Sequence, residues 1–301
     1  MSKIDAGQSS RLDRLPRPIR SFLYLAVSEW RVTIYTWALL VSYLIATDLK
    51  PLISTFILLA VSNYFLTLSI YVLNDVTDIQ EDSINTSNRP LPSGKVTRSE
   101  GIGVFIFSMI MAFSLVMFLG APTIALYGVS LFLGLAYSFP RIRAKERFPD
   151  KLIVGAMGGA VWSLTGGVTA QVLNPLVFFA AIAFALSTML AILLGDIADL
   201  RGDSASGVKS LPVIIGARRS VWVAMSIPAI IGALVLGLFR PLQLNIIFVI
   251  VVISLSCYSS YVIGTLLNKH GDSSTCRKVK IRWRLIIPFL QLAFLLALVA
   301  I

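Results

Sequence analysis

The sequence predicts an all-α integral membrane protein, with about nine transmembrane helices bundled around a central cavity. Three observations lead there. Of the 301 residues, 56% are hydrophobic and only 14% charged, where a soluble domain carries roughly 25% charged residues. Apolar runs of about 20 residues, each long enough to cross a bilayer as a helix, recur along the chain. The lysines and arginines gather in alternate connections between those runs, as cytoplasmic loops require.

In chain order the runs are Tyr24–Ala46, Leu52–Leu73, Gly101–Leu119, Pro122–Phe139, Leu152–Val172, Pro175–Gly195, Val221–Phe239, Leu242–Leu267 and Leu285–Ile301. Gly120-Ala121-Pro122 is a turn signal that splits one long apolar stretch into the third and fourth runs. Residues 1–20 are polar and basic and lack the apolar core of a signal peptide, so they read as a cytoplasmic arm. Residues 21–301 read as a single transmembrane domain. Twenty-four of the 26 lysines and arginines fall in the N-terminal stretch to Arg31 or in the second–third, fourth–fifth, sixth–seventh and eighth–ninth connections. Only Lys50 and Arg240 lie on the other side. The N-terminus is therefore expected on the cytoplasmic side of a cell membrane and the C-terminus outside, with polar chemistry at the cytoplasmic face.

The same topology accounts for the net charge of +11 without a nucleic-acid partner. Two cysteines, Cys257 in an apolar run and Cys276 in a polar loop, suggest neither a disulfide framework nor a thiolate metal site. One histidine, His270, excludes a histidine-cluster metal centre.

Chemistry concentrates at two helix ends. The second run closes on Asn74-Asp75-Val76-Thr77-Asp78-Ile79-Gln80-Glu81-Asp82. Asp75, Asp78 and Asp82 stand at i, i+3 and i+7, one face of a continuing helix, with Asn74 as a neutral oxygen donor. The sixth run closes on Asp196, Asp199 and Asp203 with the same spacing. Carboxylates crowded on one face repel unless a cation sits among them. Oxygen donors without His or Cys suit Mg²⁺, which takes one or two carboxylates and completes its shell with substrate phosphate. A lone cluster of this kind reads equally well as a solvated helix end. Two clusters of identical spacing, both at helix C-termini where the dipole is already negative, argue against that. They are expected to face one another across a shared cavity and to hold a diphosphate between metal ions.

Basic groups follow both clusters. Arg89, in Asn88-Arg89-Pro90-Leu91-Pro92-Ser93-Gly94-Lys95, is placed to bond a phosphate, and Lys209 follows the second cluster. Tyr137 closes the fourth run, with Arg141 and Lys145 after it. Most single cations here read better as topology anchors; Arg89 and Lys209, which follow the acid clusters closely, are the exceptions.

These segments resemble the UbiA superfamily of intramembrane prenyltransferases. Its NDxxDxxxD motif matches at Asn74, Asp75, Asp78 and Asp82, and its DxxDxxxD motif at Asp196, Asp199 and Asp203. The NRPLPSG loop stands at Asn88 to Gly94, and GVKSLPVIIG follows the second motif. The resemblance covers nearly the whole chain. Two departures stand out: a YxxxK pair of the family is Tyr137 followed by Arg141, with Lys145 further on, and an Arg-Pro…Asn start to the first helix is Ser28-Glu29-Trp30-Arg31.

The resemblance implies Mg²⁺ held by the six aspartates, a polyprenyl diphosphate donor and an allylic cation shielded from water. Tyr137 would face that cation. Asn74, Arg89, Arg141, Lys145 and Lys209 would hold substrate. The motif surroundings are most similar to the archaeal lipid branch, which transfers geranylgeranyl to geranylgeranylglyceryl phosphate. Aromatic acceptors of the 4-hydroxybenzoate or naphthoate type remain an alternative. So does a terpene cyclase, which needs no acceptor. An ion-coupled transporter is a further alternative, although such proteins place coupling acids near mid-membrane. Beyond donor, acceptor and membrane lipids, no obligate protein partner is evident.

Overall fold

The computed structural model describes residues 14–29, 32–85, 89–269 and 271–298. Residues 1–13, Trp30, Arg31, Asn88 and His270 lie outside them. Among the described residues the fold is helical, with one isolated β-bridge. Its helices are α1 (Arg17–Ser28), α2 (Val32–Ala46), α3 (Ile53–Thr77), α4 (Ile79–Asn85), α5 (Arg98–Val116) and α6 (Ala121–Ser138). They continue as α7 (Asp150–Thr169), α8 (Pro175–Ser206), α9 (Leu211–Ile215), α10 (Ala217–Leu238), α11 (Ile246–Gly264) and α12 (Ser273–Leu296). Seven of these segments are long and apolar enough to cross a membrane, and α2 is a shorter apolar helix of 15 residues. The chain is an integral membrane protein.

Each predicted run appears as a helix, with instructive differences. The first is divided: α1 ends at Ser28 and α2 begins at Val32. Glu29 between them is completely buried and paired with Arg89 at 2.9 Å. A carboxylate in an apolar run turns the chain toward its partner, because carrying it unpaired through hydrocarbon would be costly. At Gly120, the predicted turn, φ is +89°, a backbone that a residue with a side chain rarely adopts.

α8 is the longest helix, with 32 residues, and carries the second motif without interruption. The Asn174 side chain accepts a hydrogen bond from Val177 N–H at its start, and Gly207, at φ +75°, closes its end. The first motif differs: α3 stops at Thr77, Asp78 is its C-cap, and α4 begins at Ile79. The Thr77 hydroxyl donates to the Asn74 carbonyl at 2.8 Å and also lies 3.2 Å from Asp78 Oδ1. The Asn74 carbonyl also accepts from Asp78 N–H at 3.0 Å, so the interruption is confined to Asp78.

α8 occupies the middle of the bundle, with 56% of its span buried, whereas α5 has 22% buried and lies at the periphery. The largest core joins Leu66 and Ile70 of α3, Trp162 of α7, Phe184, Leu190 and Leu193 of α8, and Trp283 and Ile287 of α12. The Trp283 indole N–H donates to the Ser187 carbonyl at 3.1 Å and so fixes α12 against α8.

Candidate active site

One cavity of about 270 Å³ opens between α2, α3, α6, α7, α8 and α12. Its polar end is lined by Asn74, Lys151, Asp196, Asp199, Lys280 and Arg284. Tyr35, Ile70, Trp162, Phe184 and Ile287 line its apolar interior. Asn74 brings the first motif to the wall that Asp196 and Asp199 form from the second. Tyr137 lines the same wall, with Lys151, Asp196, Tyr35 and Asp78 as its electrostatic neighbours. The two motifs therefore converge, although 121 positions of sequence separate Asp75 from Asp196.

The first cluster is held by cations. Arg89 Nη1 donates to Asp75 Oδ1 at 2.7 Å and to Asp82 Oδ2 at 2.6 Å, while its Nη2 donates to Glu29 Oε1 at 2.9 Å. One guanidinium thus joins the ends of α1, α3 and α4. The Lys145 ammonium donates to Asp78 Oδ1, and Arg143 stands 3.8 Å from the same oxygen. Asn74 Oδ1 accepts from the Ser138 hydroxyl at 3.0 Å, which ties α3 to α6.

The second cluster has its own cations. Lys151 Nζ donates to Asp196 Oδ1 at 2.5 Å, and Arg277 Nη2 to Asp199 Oδ1 at 3.3 Å. Asp203 Oδ2 is buried, with the Ser210 hydroxyl beside it.

The remaining predicted residues fall differently. Arg141 is exposed and does not line the cavity. α6 ends at Ser138, and the N–H groups of Ile142 and Arg143 both return to the Phe139 carbonyl. The chain turns there, so helical spacing from Tyr137 no longer applies. Arg143, at φ +39°, reverses the backbone and sends Lys145, in the 3₁₀ turn Ala144–Glu146, back to Asp78. Lys209 acts through its main chain: its carbonyl accepts from Phe148 N–H at 2.9 Å and its N–H donates to Glu146 at 3.1 Å. This joins the two loops that follow α6 and α8. Glu29, Lys151, Lys280 and Arg284 carried no sequence signal beyond being charged residues near helix ends.

A model of the UbiA prenyltransferase family matches residues 35–286. The chain belongs to that family. Among family members, digeranylgeranylglyceryl phosphate synthase of Methanocaldococcus jannaschii is 28% identical over 266 residues, covering 85% of this chain and 88% of that protein. The 4-hydroxybenzoate octaprenyltransferase of Vibrio parahaemolyticus is 26% identical over 281 residues, 92% of each chain. For other archaeal relatives the match spans only 52% to 69% of their length. In fold, the chain is similar to a solved digeranylgeranylglyceryl phosphate synthase, with TM-score 0.72 and 24% identity over 94% of this chain and 99% of that one. It is also similar to a family homologue from Archaeoglobus fulgidus solved with GPP and Mg²⁺, with TM-score 0.66 and 16% identity over 89% and 99%.

The residues present fit such a cation. The donors are carboxylate and amide oxygens, and one carboxylate oxygen, on Asp203, is buried. Among the described residues no three acids gather into one coordination sphere. Mg²⁺ uses few protein carboxylates and would complete its shell with phosphate and water.

Arg89 supports a stability prediction. Arg89→Ala removes the guanidinium bonded to buried Glu29, Asp75 and Asp82; breaking a buried ion pair costs about 3–5 kcal/mol, so thermal unfolding in detergent should move to clearly lower temperature. Adding Glu29→Gln should recover much of that loss without restoring turnover. Unchanged melting of the single variant would show that the pair does not hold the site.

Proposed function

We propose that this chain is an intramembrane prenyltransferase that moves a polyprenyl group, geranylgeranyl, from an allylic diphosphate to geranylgeranylglyceryl phosphate in membrane lipid synthesis. What carries the reading is a single cavity with acids and cations at one end and an aromatic, apolar interior at the other. A donor that is a polyanion at its head and a hydrocarbon behind it matches that division. Residues 21–301 act as one catalytic domain in the cell membrane, with the N-terminus and site loops cytoplasmic.

In this reading Asp75, Asp78, Asp82, Asp196, Asp199 and Asp203 would hold Mg²⁺, which when bound would supply the charge that neutralises the diphosphate as a leaving group. Asn74, Arg89 and Lys145 orient the diphosphate from the first motif's side. Arg141 and Lys209 reach it only when their loops close over substrate. The C1–O bond breaks and its electron pair leaves with the diphosphate. The Tyr137 ring faces the allylic cation, and the apolar wall excludes water that would quench it. The acceptor hydroxyl oxygen then bonds to C1 and gives its proton to the departing diphosphate.

An aromatic acceptor is the second reading, supported by the full-length similarity to the Vibrio relative. The test combines purified protein, labelled geranylgeranyl diphosphate and Mg²⁺ with geranylgeranylglyceryl phosphate, 4-hydroxybenzoate, a naphthoate acceptor or none. An ether lipid from the first is expected. Transfer to an aromatic acceptor alone would move the assignment. A hydrocarbon formed without acceptor would mean a cyclase, and no product under any condition would overturn the enzyme reading.

A further inference from the structure

α12 carries a stripe of cations that mirrors the acids of α8. Arg277, Lys280 and Arg284 stand at i, i+3 and i+7, the spacing of Asp196, Asp199 and Asp203. Arg277 meets Asp199 at 3.3 Å. Lys280 lies over Gly195, where an added Cβ would come within 2.7 Å of its Nζ. Gly195, without a side chain, leaves room for this ammonium beside the motif. Asp196 and Asp203 both have Lys280 as an electrostatic neighbour. Arg284 leaves α12 one turn further along, about 6 Å on, next to the Trp283 that is bonded to Ser187. Lys280 and Arg284 are half-buried on the cavity wall, while Lys278 and Arg282 of the same helix are exposed. Cations held in such a place are functional by default.

The cavity wall carries Asp196 and Asp199 but three cations, Lys151, Lys280 and Arg284. Lys151 is already committed to Asp196. Lys280 and Arg284 also interact with neighbours, which an incoming anion would replace. On the other side, the end of α1 presents Glu29, buried and bonded to Arg89.

We infer that Lys280 and Arg284 form the site for the acceptor's anionic group, a phosphate monoester, separate from the diphosphate site at the two aspartate motifs. This rests on the transferase reading above. Arg284 presents a planar fork to the phosphate, and Lys280 a point charge from the neighbouring turn. The acceptor hydroxyl, a few bonds away, is then held beside the donor's C1 rather than at the diphosphate.

The test uses full-length protein in lipid nanodiscs, with Lys280→Gln/Arg284→Gln, Arg284→Lys and Gly195→Ala. Steady-state kinetics are paired with direct binding of geranylgeranylglyceryl phosphate and of its phosphate-free alcohol, read by tryptophan fluorescence. In the double variant the acceptor KM and Kd should rise about tenfold or more while the donor KM stays within about twofold, as loss of charge-assisted bonds to one ligand requires. The wild-type preference for the phosphate over the alcohol should disappear. Arg284→Lys should restore part of it, and Gly195→Ala, which displaces Lys280, should weaken acceptor binding in the same sense. Donor and acceptor KM rising together, or an unchanged preference for the phosphate, would overturn the inference. If the wild type uses 4-hydroxybenzoate instead and the variants weaken only that acceptor, the anion site stands and the lipid acceptor falls.

Discussion

Asp75→Ala and Asp199→Ala, one from each side of the cavity, should each reduce transfer by about a thousandfold or more, the scale on which losing charge stabilisation at a leaving group acts. Both proteins should still fold. Asp75 is buried, but its partner Arg89 keeps Glu29 and Asp82. Asp199 has a side chain 41% exposed and contributes little to packing. Labelled product formed under single-turnover conditions measures the loss, and melting in detergent checks the fold. The double variant should be little worse than either single one, because residues acting on one leaving group fail as a unit. Near wild-type turnover in Asp199→Ala would return the second cluster to a solvated helix end.

Removing divalent metal should stop turnover completely, and Mg²⁺ should restore it. The fold should survive chelation, because Asp75, Asp78, Asp82, Asp196 and Asp199 are each paired with Arg or Lys without any metal. Binding should depend on the donor: no three acids form one coordination sphere among the described residues, so a diphosphate must supply the remaining oxygens. Titration with Mn²⁺, followed by electron paramagnetic resonance, should show weak binding alone and much tighter binding with a non-ionisable prenyl diphosphate analogue. Full turnover in EDTA, or equally tight metal binding without the analogue, would count against this arrangement.

The sequence by itself determined the spans, the turn at Gly120 and the two acid-bearing helix ends. The reason is physical: a segment in hydrocarbon must close its own backbone hydrogen bonds over a set length, so a local apolar run suffices to place it. The second motif was legible for the same reason, since α8 continues through Asp203 and helical spacing holds. The tertiary structure decided which cation meets which acid. Lys145 rather than Arg141 reaches Asp78 because the chain turns after Ser138 and spacing along α6 loses its meaning. Lys151 reaches Asp196 across 45 positions, and Arg89 reaches Glu29 across 60. The break at Glu29 and the placement of Lys280 over Gly195 depend on how separate helices rotate and pack. A charge near a helix end looks alike in sequence whether it anchors topology or lines a site; only the packing of its neighbours distinguishes the two.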